Sequence, residues 1–170
     1  MALNIEMRLC LPRDRGTVPF VRHICRHVLV ELSVTVDCQA AVLLALTEAC
    51  DNVVLHAAGD DEYEVHLEIT DEECQIRIID AGKGFDPFIA EQLVGEATDE
   101  AGRGIMLMRA LVDTLNFDSR PEAGTVVRLV KQLEFDGHPP FLNGPGVVDG
   151  PPPSPSERSG PTGRSDAEHG

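Results

Sequence analysis

Basic residues are scarce in this chain: 14 Lys and Arg stand against 29 Asp and Glu, a formal net charge of −15 over 170 residues. Such a surface repels phosphodiester backbones, so no direct contact with nucleic acid is expected. It suits a basic protein partner instead. Paired cysteines are lacking too. The five (Cys10, Cys25, Cys38, Cys50 and Cys74) are odd in number and include no C-x-x-C, which argues against a disulfide framework and against a zinc site. Cys50 and Cys74 lie in apolar patterns and read as small buried side chains. No run approaches the ~18 apolar residues that a membrane span requires, and no basic segment followed by an apolar one marks a leader. A cytoplasmic protein without membrane contact is the expectation.

What is present is enough apolar material, 42% of residues, for one core. Leu3, Ile5, Met7 and Leu9 alternate with polar neighbours, the period of a strand. Val21, Ile24, Cys25, Val28, Leu29 and Leu32 recur at three- and four-residue steps, predicting an amphipathic helix from about Val18 to Leu32 with Arg22, His23, Arg26 and His27 on its other faces. Asp37 is a plausible N-cap of a second helix reaching Ala57 or Ala58, buried along Val42, Leu43, Leu46, Ala49, Cys50, Val53 and Ala57. Strands follow over Tyr63–Thr70 and Cys74–Ile79, joined at Asp71-Glu72-Glu73. Residues 86 to 101 read as a short helix and a loop, Ile105 to Leu111 or Val112 as a helix, and Leu115–Asp118 and Thr125–Leu133 as the last strands. Residues 137–170 hold 7 Gly and 8 Pro, too little apolar matter to offset ordering, so disorder is expected there. The folded unit is therefore residues 1–136.

Three short segments carry the chemistry. Glu48, Asn52 and His56 stand at successive i, i+4 positions and line one stripe of the second helix. Asn52 could give magnesium a neutral oxygen, and Glu48 could orient or deprotonate a hydroxyl; a solvated helix face would carry the same residues. Asp80-Ala81-Gly82-Lys83-Gly84 ends a strand in a glycine turn. There Asp80 can accept a hydrogen bond from an exocyclic amine such as adenine's, and Gly82 and Gly84 let backbone approach a ligand. Gly102-Arg103-Gly104 lies just before a helix, whose free N–H groups and dipole favour phosphate oxygens. An ordinary turn and a plain loop-to-helix junction would look similar.

In that order and spacing, the three segments resemble the N, G1 and G2 boxes of the ATP-binding domain shared by gyrase and sensor histidine kinases. More narrowly, Glu48-Ala49-Cys50-Asp51-Asn52, Asp80-Ala81-Gly82-Lys83-Gly84-Phe85-Asp86-Pro87 and Gly102-Arg103-Gly104-Ile105 are similar to those of the bacterial anti-sigma-factor serine/threonine kinases. The resemblance covers about residues 3 to 133. It implies an α/β fold, a two-layer sandwich with a mixed sheet covered by helices on one face (the Bergerat-type ATP-binding fold). It implies ATP and magnesium as cofactors, with Asn52 coordinating the metal and Glu48 as general base. Asp80 would recognise the adenine amine, Gly82 and Gly84 shape the adenine side, Gly102 and Gly104 close around phosphates, and Thr125 help bind adenine. The Walker P-loop and the Gly-rich loop of eukaryotic-type kinases are both missing. Many relatives carry an aromatic residue after the His-Ala pair, where this chain has Ala58-Gly59.

The implied function is an anti-sigma regulatory factor. It would hold a sigma factor inactive and use Mg-ATP to phosphorylate a serine or threonine of an anti-anti-sigma antagonist. The alternative is an ATP-binding partner-switch module with little or no kinase activity. The first helix, with Arg22 and Arg26, is a reasonable face for a partner or for a homodimer. A sensor histidine kinase is not expected, because the 16 residues before Thr17 cannot hold a phosphoacceptor hairpin, and a gyrase-like machine would need a transducer domain.

Overall fold

Hydrophobic alternation becomes a five-stranded sheet, and three- and four-residue periodicity becomes the layer covering it. The structure is a computed structural model that describes residues 3–56, 62–80, 100–120 and 124–137. Its elements are β1 (Asn4–Pro12), α1 (Thr17–Glu31), α2 (Val36–His56), β2 (Glu62–Thr70), β3 (Glu73–Asp80), α3 (Glu100–Leu111), β4 (Thr114–Arg120) and β5 (Gly124–Gln132). The strands lie in the order β1-β2-β3-β5-β4.

The expected α/β architecture is present, with one difference inside it. Every described pairing is antiparallel, where a mixed sheet was expected. The reason is the number of chain passes between neighbours. Between β1 and β2 the chain makes two helical passes, α1 and α2, so β2 enters reversed. The β2–β3 connection is a hairpin. There the Thr70 hydroxyl accepts the N–H groups of Glu72 (3.2 Å) and Glu73 (3.0 Å). β5 inserts between β3 and β4 and opposes both.

One face of the sheet is apolar throughout. Register places Met7 beside Leu67, Leu67 beside Ile76, and Ile76 beside Leu129. Val65, Ile69, Ile78 and Val127 extend that face, and α1 and α2 cover it with Val21, Cys25, Leu29, Leu32, Val42, Ala45, Leu46, Ala49 and Cys50. Each fully buried Leu or Ile is worth about 1.5–3 kcal/mol by area. Contrary to the sequence expectation, α2 is long and apolar enough to cross a membrane by length and composition; its Val42, Ala45, Leu46, Ala49, Cys50 and Val53 are buried in the core, while Val36, Leu44 and Leu55 are exposed. The other face alternates to charged side chains, with Arg8, Arg77 and Arg128 exposed in line across the strands.

Turns fix the helix ends. Before α1, the Asp14 carboxylate accepts the Gly16 N–H at 2.7 Å, and its carbonyl accepts the Thr17 hydroxyl at 2.6 Å. Asp37 stands inside the first turn of α2, not at its N-cap, where its charge still favours the helix dipole. All five cysteines are free. Burial pushes Cys25 and Cys50 up to about 12, and raises Cys74 as well, so these thiols stay protonated and inert. Of residues 86–101, expected as a short helix and a loop, 100 and 101 open α3, while 86–99 and the segment 138–170 lie outside the described residues.

Candidate functional site

Ile105 and Met108 are buried and seat α3 against the core. That docking turns the first half of α3 toward the polar stripe of α2, and Gly104 meets it. A Cβ placed on Gly104 would stand 2.9 Å from Oε2 of Glu48 and 3.7 Å from both Asn52 side-chain termini. Only a hydrogen fits there without moving the carboxylate. Two of the three sequence segments therefore converge, through a glycine whose missing side chain leaves room for Glu48. The helix begins at Glu100, so Gly102 and Gly104 lie within its opening turns and not before it. Glycine is a poor helix former, which is why the periodic signal starts only at Ile105.

Glu48 is partly buried, and its carboxyl is raised above the ordinary value, first by burial and then by the charge of Asp51. A carboxylate made more basic in this way is a better proton acceptor at neutral pH. Asp51 also bears on Tyr63, whose phenol is pushed up to about 12, mainly by burial.

The second cluster sits where β3 ends and β5 begins. Asp80 and Thr125 are the buried polar residues among those described, at 4% and 7% exposure. They are directly opposed in the β3–β5 ladder, so a buried carboxylate and a buried hydroxyl share one end of the apolar face. Glu64 pairs with Ile79, which brings Tyr63 to the position beside Asp80. The Tyr63 hydroxyl meets the Thr17 hydroxyl at 2.8 Å. From the turn after β1, the Arg13 guanidinium donates to Asp80 in a pair whose side chains are 10% and 4% exposed.

Glu48, Asn52 and Gly104 are thus together, and Asp80 and Thr125 are together. Gly82 and Gly84 lie outside the described residues, and His56 is the last residue of α2. Sequence reasoning missed Arg13, which stands 67 positions from its partner in a turn without a motif. It also read Tyr63 only as a strand residue; its isolation as the single tyrosine was the available signal.

The donor set suits a nucleotide. A buried carboxylate accepts from an amine-bearing base, and the first-turn N–H groups of α3 lack intrahelical acceptors and so suit phosphate oxygens, with Gly104 keeping the approach clear of a side chain. Among the described residues no group of three or more His, Cys, Asp or Glu could hold a metal by itself. Magnesium on a phosphorylated ligand needs few protein oxygens, and the Asn52 amide beside the Glu48 carboxylate fits that demand.

Comparison with known proteins agrees. The histidine kinase-like ATPase domain family matches residues 11–131. An anti-sigma F factor of Clostridium botulinum is 32% identical over 123 residues, covering 68% of this chain and 86% of the relative. A serine-protein kinase RsbW of Bacillus velezensis is 29% identical over 140 residues, covering 76% and 85%. Among solved structures, the RsbU and RsbW domains of a Mycobacterium tuberculosis protein align with TM-score 0.59 at 20% identity, over 76% of this chain and 32% of that one. That last likeness speaks to the fold alone. Domain match, relatives and converging motifs lead to one statement: this chain belongs to the histidine kinase-like ATPase family, in its anti-sigma-factor branch.

Proposed function

We propose that this chain is a cytoplasmic anti-sigma factor that binds a sigma factor and phosphorylates a serine or threonine of an anti-anti-sigma antagonist with Mg-ATP. The observation that carries the reading is the seat of Gly104 against Glu48 and Asn52. It supports a phosphate-binding helix start facing a general base and a metal-binding amide. The names of the relatives, anti-sigma F factor and serine-protein kinase, support the biological role.

Each residue then has a task. Asp80 accepts the N–H of the adenine amine, which guanine lacks at that ring position, and Thr125 adds a hydroxyl beside it. Backbone N–H groups of the first turn of α3, around Gly102, receive phosphate oxygens, Gly104 leaves room beside them, and Gly82 and Gly84 shape the adenine side. Asn52 holds magnesium through its amide oxygen; bound magnesium supplies charge neutralisation on the phosphoryl oxygens. Glu48 takes the proton of the attacking hydroxyl, a task eased by its raised affinity for protons. In phosphoryl transfer the protein mainly positions groups and balances charge. The exposed face of α1, with Arg22 and Arg26, is a basic surface available to a partner or to a second copy of the chain.

Phosphotransfer to the cognate antagonist, followed beside calorimetric ATP titration, tests this. Glu48→Ala should cut transfer by about 10²–10⁴-fold while ATP still binds, and Asp80→Asn should abolish binding. Full transfer by Glu48→Ala would remove the assigned base. ATP binding without any transfer by the unsubstituted protein would favour the partner-switch module instead.

A further inference from the structure

We propose that Arg13 is an internal competitor of the nucleotide base, occupying on Asp80 the acceptor that the adenine amine would use. This rests on the reading of Asp80 as the base-recognising carboxylate. The structure holds Arg13 in place for the task. Asp14 donates its N–H to the Pro12 carbonyl at 2.8 Å, and Thr17 donates its N–H to the Asp14 carbonyl at 3.0 Å, closing the turn on either side of Arg13. Thr17 in turn ties that turn to Tyr63, the strand residue next to Asp80. The guanidinium is thereby delivered to a carboxylate 67 positions away, and both side chains are almost wholly covered.

The two ligands of Asp80 are chemically alike, since each presents N–H to a carboxylate oxygen. The guanidinium adds charge, which strengthens the bond. A deeply buried carboxylate favours a charged donor, so the Arg13 guanidinium holds the oxygen it reaches when no base is present and gives up that oxygen as the base enters. Apparent affinity then falls by the fraction of molecules in which the pair is closed. A pair closed about nine-tenths of the time weakens ATP about tenfold. Guanine gains nothing from the oxygen that Arg13 gives up, because it offers a carbonyl oxygen where adenine offers an amine.

Calorimetric titration of the full chain with Mg-ATP and with Mg-GTP tests the competition. Arg13→Met keeps the length of the stem and removes the donors. It should tighten ATP by about tenfold or more and leave GTP unchanged. Unchanged or weaker ATP binding by a folded Arg13→Met overturns the proposal. A second measurement on the unsubstituted protein guards against loss of fold in the variant. The slowly rotating guanidinium N–H signals of Arg13 in nitrogen-15 NMR should be present without nucleotide and collapse at saturating ATP; their persistence at saturation overturns competition. Asp80→Asn separates the two levels. If it abolishes ATP binding while Arg13→Met changes nothing, competition alone fails; if it leaves ATP affinity intact, the base-recognition reading fails and competition with it.

Discussion

At Glu48 the cost of a poised carboxylate falls on the fold. Burial, and then the neighbouring charge of Asp51, raise its pKa above the ordinary value of 4.5. The folded chain therefore holds the proton more tightly than the unfolded chain. Stability is highest below the unfolded value and is lost as pH rises through the folded one. The penalty therefore grows from acid toward neutral pH. Glu48→Gln removes the charge and keeps the shape, so it should melt at a higher temperature than the parent protein at about pH 7. That gain should shrink toward nothing at about pH 4. Thermal melts at the two pH values check it, and a gain that grew on acidification would contradict the sign. The same substitution removes the proton acceptor, so stability and transfer should move in opposite directions.

At the scale of elements, the end of α1 is a Schellman turn made without glycine. Val34 N–H reaches the Leu29 carbonyl at 3.1 Å and Ser33 N–H the Val30 carbonyl at 2.9 Å, with Ser33 at φ 58°. A side chain in the left-handed region costs about 1–2 kcal/mol, part of which glycine gives back as unfolded-state entropy. Ser33→Gly should therefore stabilise by about 0.5–1 kcal/mol, a rise of a few degrees in melting temperature. No change would mean that the serine hydroxyl already offsets its backbone strain. Elements such as this one were legible as spans but not as ends. Alternation announced β1, β2 and β3 because one face is buried, and the stripe of α2 was read nearly whole, missing Cys38 and Ala45 among its buried residues. The start of α3 was read late because Gly102 and Gly104 interrupt the helical pattern. Tertiary docking by Ile105 and Met108 overrides that weak local preference. Of the candidate site residues, Glu48, Asn52 and Asp80 are marked by motif and Thr125 by the family resemblance; Arg13 is marked by neither, because its meaning lies in a partner far along the chain.

For the molecule as a whole, the segment after β5 closes the structure at the corner between α1 and α2. Leu133 donates its N–H to the Glu72 carbonyl at 2.8 Å, and its side chain is buried. Glu134 accepts the Thr35 N–H at 2.8 Å, Asp136 donates to the Ser33 carbonyl at 2.8 Å, and Phe135 bridges Val34. These contacts join the last residues of the described chain to the β2–β3 hairpin and to the α1–α2 corner, so sheet and helix layer are fastened at the end of the strands opposite Asp80 and Thr125. The domain proposed for residues 1–136 predicts where shortening becomes harmful. A chain ending at Gly137 should melt with the full chain. A chain ending at Gln132 gives up one buried leucine, at about 2 kcal/mol, and three backbone hydrogen bonds, at about 1 kcal/mol each. The expected loss is therefore about 5 kcal/mol, which is comparable to the whole stability of many domains. Chemical denaturation of the two shortened chains measures the difference, and equal midpoints would show that the corner is held by α1 and α2 alone.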